Sequence, residues 1–252
     1  MGKRLIIHAA LAATAALASA AGAQVAEREF VITPRAGYMV FDDASSIENA
    51  ATLGLDAIYN VNQFFGIGTA LTYARPGTRG EDFIARLNYG LLERGDTSFF
   101  YAVSQPLNVL DLALNATLRL PLSGPVSPFV TGGAGVYAIY LDPQVNRGND
   151  KFSRMSFNVG GGVNVRLGDQ VGLQLDARNV TFQNFDRERL RPTDVDRFAG
   201  NPLFTFQNYE FPDAFPQPPA AKRTVNNLTF NFGFNYTPRR GAAPESGTED
   251  TQ

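Results

Sequence analysis

Residues 110–120 read LDLALNATLRL. Leu110, Leu112, Leu114, Ala116, Leu118 and Leu120 fall on one face of an extended chain, and Asp111, Ala113, Asn115, Thr117 and Arg119 fall on the other. Successive side chains of a strand point to opposite faces, so this period of two reads as a half-apolar β-strand. Residues 228–236, LTFNFGFNY, repeat the pattern: Leu228, Phe230, Phe232, Phe234 and Tyr236 oppose Thr229, Asn231, Gly233 and Asn235. The segments 30–41, 52–61, 64–74, 155–167 and 171–180 alternate in the same way. An eighth, FVTGGAGVYAIYL at 129–141, is apolar or small on both faces, and its sequence gives it no phase.

The connections alternate in length. They are short at 61–63, 121–127 and 168–170, and longer at 42–51, 75–106, 142–154 and 181–226. Eight strands joined this way read as an antiparallel up-and-down sheet. The fourth strand reads as extending back through Phe99 and Tyr101; a hairpin within 82–105 is the alternative and would raise the number to ten.

The polar face decides what surrounds the sheet. A soluble barrel shows Lys and Glu to water, yet the eight segments contain neither; their polar positions carry Gly, Asn, Thr, Ser and a few Arg and Asp. Small polar residues suit the crowded interior of an eight-stranded barrel. The opposite face carries Leu, Val, Phe and Tyr without charge, as a lipid face requires, since Arg or Lys at the bilayer midplane costs about 2–4 kcal/mol. Tyr38, Tyr59, Tyr73 and Tyr236 stand near strand ends, where an interfacial aromatic girdle belongs. Hydrocarbon offers no hydrogen bonds to an open sheet edge, so the sheet must close. The expected fold is all-β: an antiparallel up-and-down transmembrane β-barrel of eight strands within residues 24–238, apolar outside and polar in a narrow interior.

The flanks differ. Lys3 and Arg4, the apolar run LIIHAALAATAAL from Leu5 to Leu17, and the small residues Ala21 and Ala23 make residues 1–23 a secretory signal. Residues 239–252, RRGAAPESGTEDTQ, have too little apolar surface to fold and read as a disordered polar tail.

Composition excludes most chemistry. The chain has no Cys, and its one His, His8, lies in the signal. Disulfides, thiolate nucleophiles, Cys- or His-ligated metals and a Ser-His-Asp triad are therefore unavailable to the mature protein. The 22 basic and 24 acidic residues of the full chain form no patch for nucleic acid. We expect no catalytic residues, no cofactor and no metal, and hence no enzyme. The loop DPQVNRGND at Asp142–Asp150 is rich in oxygen ligands, but Arg147 and Ser153 occupy the positions where an EF-hand needs Gly and Glu. The glycine clusters at 66–68 and 132–135 have no helix after them, so they serve close wall packing and not phosphate binding.

Two constellations carry functional interest. Arg35, Asp56, Asp111, Arg119, Arg166, Asp176 and Arg178 fall on the lumen face. They read either as a static network, because buried charges must be paired, or as a gate whose charges rearrange to pass ions. The loop 181–226 holds Arg187, Arg189, Arg191 and Arg197 beside Asp186, Glu188, Asp194 and Asp196, with Phe204, Phe206, Tyr209, Phe211 and Phe215. These aromatics read as a surface for an extracellular ligand or as a cap over the barrel mouth, and the arginines as partners for lipopolysaccharide phosphates.

The strand TGGAGVYAIY (131–140) entered through Pro128 and Val130, the pair FNVGGGVNVRLGDQVGLQLDARNV (157–180) and the closing LTFNFGFNY resemble the small outer-membrane β-barrel family typified by OmpA-like and opacity-type proteins. The resemblance implies a bacterial outer-membrane location, periplasmic termini, and a structural or surface-interaction role through long extracellular loops. A porin-like channel for small solutes or ions is the alternative. A lipid-modifying membrane enzyme is a third reading, against which stands the loss of His8 with the signal. Implied partners are outer-membrane lipid and lipopolysaccharide, and the outer-membrane assembly machinery, which reads an aromatic residue closing the last strand. Asn231, Gly233 and Tyr236 fit that signal, although Pro238 and the tail follow it. The tail is too short for the peptidoglycan-binding domain of full-length OmpA-like proteins.

Overall fold

A computed structural model describes residues 29–89, 97–120, 122, 124–143, 151–192, 204–209 and 216–238. The signal, the tail and most of the Asp142–Asp150 loop lie outside the described residues. The strands are β1 (Phe30–Val40), β2 (Ala50–Asn60), β3 (Phe65–Ala74), β4 (Ile84–Tyr89), β5 (Thr97–Ala102), β6 (Leu107–Arg119), β7 (Val126–Leu141), β8 (Lys151–Arg166), β9 (Val171–Gln183), β10 (Phe204–Tyr209) and β11 (Thr224–Tyr236).

Eight of them close a barrel in the order β1-β2-β3-β6-β7-β8-β9-β11, with β11 returning to β1. The seam pairs Arg35 with Gly233 and Tyr38 with Phe230, antiparallel like the other neighbours. Chain order and barrel order agree once β4, β5 and β10 are set aside, so the topology is up-and-down. The hairpin within 82–105 does form, as β4 and β5, but it does not enlarge the barrel. β3 bonds directly to β6 through Tyr73↔Leu110 and its neighbours, leaving no gap for two more strands. β4 and β5 instead join β10, from the loop after β9, in a separate sheet of order β10-β4-β5.

The barrel is inverted relative to a soluble protein. Leu53 is 64% exposed and Leu114 70%, whereas Arg35, Asp56, Asn115, Asp176 and Arg178 are buried. An apolar surface this extensive belongs against acyl chains, because monomers in water do not sustain it. Phe30, Tyr59, Phe64 and Tyr236 face outward at the end carrying the short turns; Tyr38, Tyr73 and Tyr140 do so toward the end carrying the long loops. The structure also supplies the phase that the sequence withheld from β7: Val130 and Val136 face out, Thr131 and Tyr137 face in.

The strands are longer at the loop end than alternation indicated. β6 begins at Leu107, β8 at Lys151 and β11 at Thr224, and β9 runs to Gln183. In these extensions the lumen positions turn apolar. Met39, Leu107, Tyr137, Ile139, Phe152, Phe182 and Val225 meet Phe41, Ile47, Phe83, Phe185 and Leu190 from the loops in one buried cluster. The interior is therefore not polar throughout: a polar lower part is overlain by an apolar plug.

Candidate functional site

The polar part of the lumen is organised around one carboxylate. Asp56 on β2 accepts from Arg35 Nε through Oδ1 at 2.9 Å and from Arg178 Nη2 through Oδ2. Arg178 Nε donates to Asp176 Oδ1 at 2.7 Å, on the same face of β9. Neutral groups complete the layer. Arg35 donates from Nη1 to Asn231 Oδ1 at 3.0 Å and from Nη2 to Thr72 Oγ1 at 2.6 Å. Asp176 also accepts from Gln174 Nε2 and Asn231 Nδ2, each at 2.9 Å. Two guanidinium groups and two carboxylates thus balance in charge while linking β1, β2, β3, β9 and β11 across the seam. Such pairing is the condition for burying ions at all.

Glycine makes the space. A Cβ at Gly54 would lie 2.9 Å from Arg35 Cζ, and one at Gly160 would lie 2.7 Å from Arg178 Cγ. On the far wall Asn158 Nδ2 donates to Asn115 Oδ1 at 2.9 Å, from β8 to β6 across the intervening β7. That bond passes over Gly133, where a Cβ would sit 2.0 Å from Asn115 Oδ1. Gly133, in the cluster at 132–135, thus does more than pack the wall: it leaves room for a lumen side chain to reach over it.

Of the seven lumen charges expected, Arg35, Asp56, Asp176 and Arg178 meet in this layer. Asp111 is buried on the lumen face of β6, with its Oδ1 lacking a hydrogen-bond partner among the described residues. Arg119 lies apart at the turn end, bonded through Nη1 to Asn60 Oδ1. Arg166 lies at the strand end. It has lumen parity but sits at the last position of β8, exposed, donating to Gly168 O at 3.1 Å and lying 3.9 Å from Asp169. Parity assigns a face and says nothing of depth.

Above the ionic layer the plug is aromatic. Tyr137 stacks on Phe182 with ring centroids 4.2 Å apart and meets Phe152 edge-on at 6.4 Å. Its hydroxyl donates to Gln183 O at 3.1 Å, so the buried phenol is satisfied. The loop after β9 folds over this cluster: Phe185 contacts Phe152 at 6.2 Å, and Leu190 is buried with its carbonyl accepting from Gln105 Nε2. Its beginning therefore caps the mouth. Arg189 and Arg191 pair with Asp186 at 3.7 Å and Glu188 at 2.8 Å, and Arg187 donates to Pro219 O. Arg197, Asp194, Asp196, Phe211 and Phe215 lie outside the described residues. No cluster of three or more potential metal-ligating His, Cys, Asp or Glu occurs among the described residues.

The barrel has counterparts among solved structures. Neisserial surface protein A matches at 11% identity with a TM-score of 0.48, covering 82% of this chain and 96% of its own. Ail, the attachment invasion locus protein of Yersinia pestis, in complex with the heparin analogue sucrose octasulfate, matches at 12% and 0.42, covering 83% and 99%. The outer membrane protein OprG from Pseudomonas aeruginosa matches at 11% and 0.42, covering 85% and 99%. Comparison with curated protein sequences finds no match. A family model for the outer membrane protein beta-barrel domain matches residues 9–237. With this match over an inverted eight-stranded barrel, the chain belongs to the outer membrane protein beta-barrel family and resides in the cell outer membrane.

Proposed function

We propose that the protein is a closed, non-enzymatic barrel that holds a rigid platform at the cell surface for contact with an extracellular partner. The observation carrying this reading is the double closure of the lumen. The Arg35–Asp56–Arg178–Asp176 layer and the Tyr137–Phe182 plug lie in series in the lumen, one of paired buried charges and one of packed rings. A barrel so filled has its adaptable surface in the loops. There the chain builds further structure, because β4, β5 and β10 form a sheet from two loops far apart in sequence. In this orientation the long loops are extracellular, both termini are periplasmic, and the aromatic rings meet lipid and lipopolysaccharide. The assembly machinery reads β11 and its Tyr236.

The porin-like alternative draws on the charges themselves, since an ionic layer can in principle rearrange. It requires the aromatic plug to move as well. Planar-bilayer recording on the purified barrel, with swelling of liposomes in small sugars, tests the choice. The closed-platform reading expects no conductance and no swelling; steady single-channel currents in the unmodified protein would overturn it.

A further inference from the structure

We propose that the turn end of the lumen contains an oxyanion site, for a carboxylate or phosphate group, built on Arg119 and Asn60. Nothing in the platform role calls for it, and it lies at the opposite end of the barrel from the loops.

Arg119 is only 6% exposed, and Asn60 is fully buried. The guanidinium donates from Nη1 to Asn60 Oδ1, a neutral acceptor. No carboxylate among the described residues pairs with Arg119, whose side-chain partner is the neutral Asn60. The spare lumen carboxylate, Asp111, cannot serve: it lies eight residues away on the same face of β6, about 26 Å at the rise of a strand. Asn60 adds the second observation. Arg can only donate, so Asn60 must turn Oδ1 toward it, and its Nδ2 is left buried without an acceptor. Gly66 supplies the room, since a Cβ there would lie 3.0 Å from Asn60 Oδ1 and 3.1 Å from Arg119 Nη1.

Arg119 and Asn60 both line a recess that opens at the turn end. Deeper in its wall Thr33, Asn235 and Asn164 bond to one another. Thr33 Oγ1 donates to Asn235 Oδ1 at 2.7 Å, and Asn235 Nδ2 donates to Asn164 Oδ1 at 2.9 Å. The recess therefore presents donors and a guanidinium that forms no ion pair among the described residues, with Glu29 and the Arg166–Asp169 pair also in its lining. A water molecule would satisfy Asn60 Nδ2 but would leave the guanidinium unneutralised. An oxyanion satisfies both through charge-assisted hydrogen bonds. Two sources offer that chemistry: free anions entering from the turn side, and the carboxylates of Glu245, Glu249 and Asp250, which follow β11 in the sequence.

The test titrates inorganic phosphate, and separately acetate, into the full chain folded in detergent micelles, following the Arg119 Nε–H and Asn60 side-chain amide signals by NMR. Saturable shifts are expected, lost in Arg119→Gln. Asn60→Asp places a carboxylate against the guanidinium, so it should weaken phosphate binding about tenfold or more and raise the thermal unfolding midpoint. This variant carries the test if Arg119→Gln fails to show the heat-modifiable migration of a folded barrel. A chain ending at Pro238 separates the sources: tighter binding than the full chain assigns the site to the tail carboxylates, equal binding assigns it to free anions. Absent or non-saturating shifts in both chains, wild-type binding by Arg119→Gln, or an Asn60→Asp midpoint no higher than wild type would each overturn the site.

Discussion

Asp56 and Arg178, 122 positions apart in the chain, hydrogen-bond inside the barrel although their strands, β2 and β9, are not neighbours. β1 and β11 stand between them, so the bond exists only when the seam has closed. The same carboxylate holds Arg35 through its other oxygen. The ionic layer is thus a product of barrel closure and also reinforces it.

Asp56→Asn tests that role. It leaves Arg35 and Arg178 with Asp176 as the remaining carboxylate of the layer, and breaking a buried ion pair from one side costs about 3–5 kcal/mol. Asp43→Ala is the comparison. It removes an ion pair to Arg79 at 2.9 Å whose carboxylate is largely exposed, and exposed pairs contribute roughly 0–1 kcal/mol. Urea unfolding of the barrel in lipid vesicles should separate the two variants clearly. Equal losses would mean that the layer contributes no more than a surface contact.

The inverted surface makes a depth-dependent prediction. Leu114 and Leu120 both face outward from the strand that runs through β6, at 70% and 62% exposure, but Leu114 lies near its middle and Leu120 just past its turn end. Leu114→Arg should destabilise the barrel in vesicles by about 2–4 kcal/mol, and Leu120→Arg by about 0–1. A solubility gain with no loss of stability from Leu114→Arg would contradict a lipid-facing wall.

The architecture was legible because two signals coincide in the strands, alternation and the lack of Lys and Glu on the polar face. Leu110–Leu120 and Leu228–Tyr236 carry both, and their faces fall as read. What was hidden has particular causes. Strand β7 showed no phase because Gly133 and Gly135 stand at lumen positions where larger side chains would obstruct the Asn115–Asn158 bond or press on β6. The plug was invisible because Leu107, Val109 and Phe152 break the alternation at the loop end, where lumen positions are apolar; the strands were accordingly read as starting later. The lumen charges were legible as a set, but their pairing depends on register across a seam that no local pattern encodes. Arg119 and Arg166 show the limit, since both share lumen parity yet one is buried beside Asn60 and the other lies exposed at the rim.

Gly54→Ala addresses the space that Arg35 occupies. The added methyl would meet Arg35 Cζ and Nε at 2.9 Å and Leu71 O at 2.8 Å. The backbone oxygen cannot withdraw, so the guanidinium must shift off Asp56. Overpacking of this kind costs typically about 1–3 kcal/mol. Gly168→Ala, in the turn between β8 and β9 where no atom lies within 4 Å of the added carbon, is the comparison and should leave the unfolding midpoint within roughly 0.5 kcal/mol of wild type. Matching losses in the two variants would remove the steric explanation.

Two closures in series make a prediction that either alone would not. Phe182→Ala deletes the ring stacked at 4.2 Å on Tyr137 and should cost about 3–5 kcal/mol, but it leaves the Arg35–Asp56–Arg178 layer in place below it. Asp56→Asn loosens that layer beneath an intact plug. Each single variant should therefore remain silent in planar bilayers. Combining Asp56→Asn with Phe182→Ala and Tyr137→Ala removes material from both levels and should yield small ohmic currents, provided that heat-modifiable migration shows the triple variant folded. Currents from Phe182→Ala alone would show that the ionic layer conducts once uncovered, and the porin-like reading would then displace the closed platform.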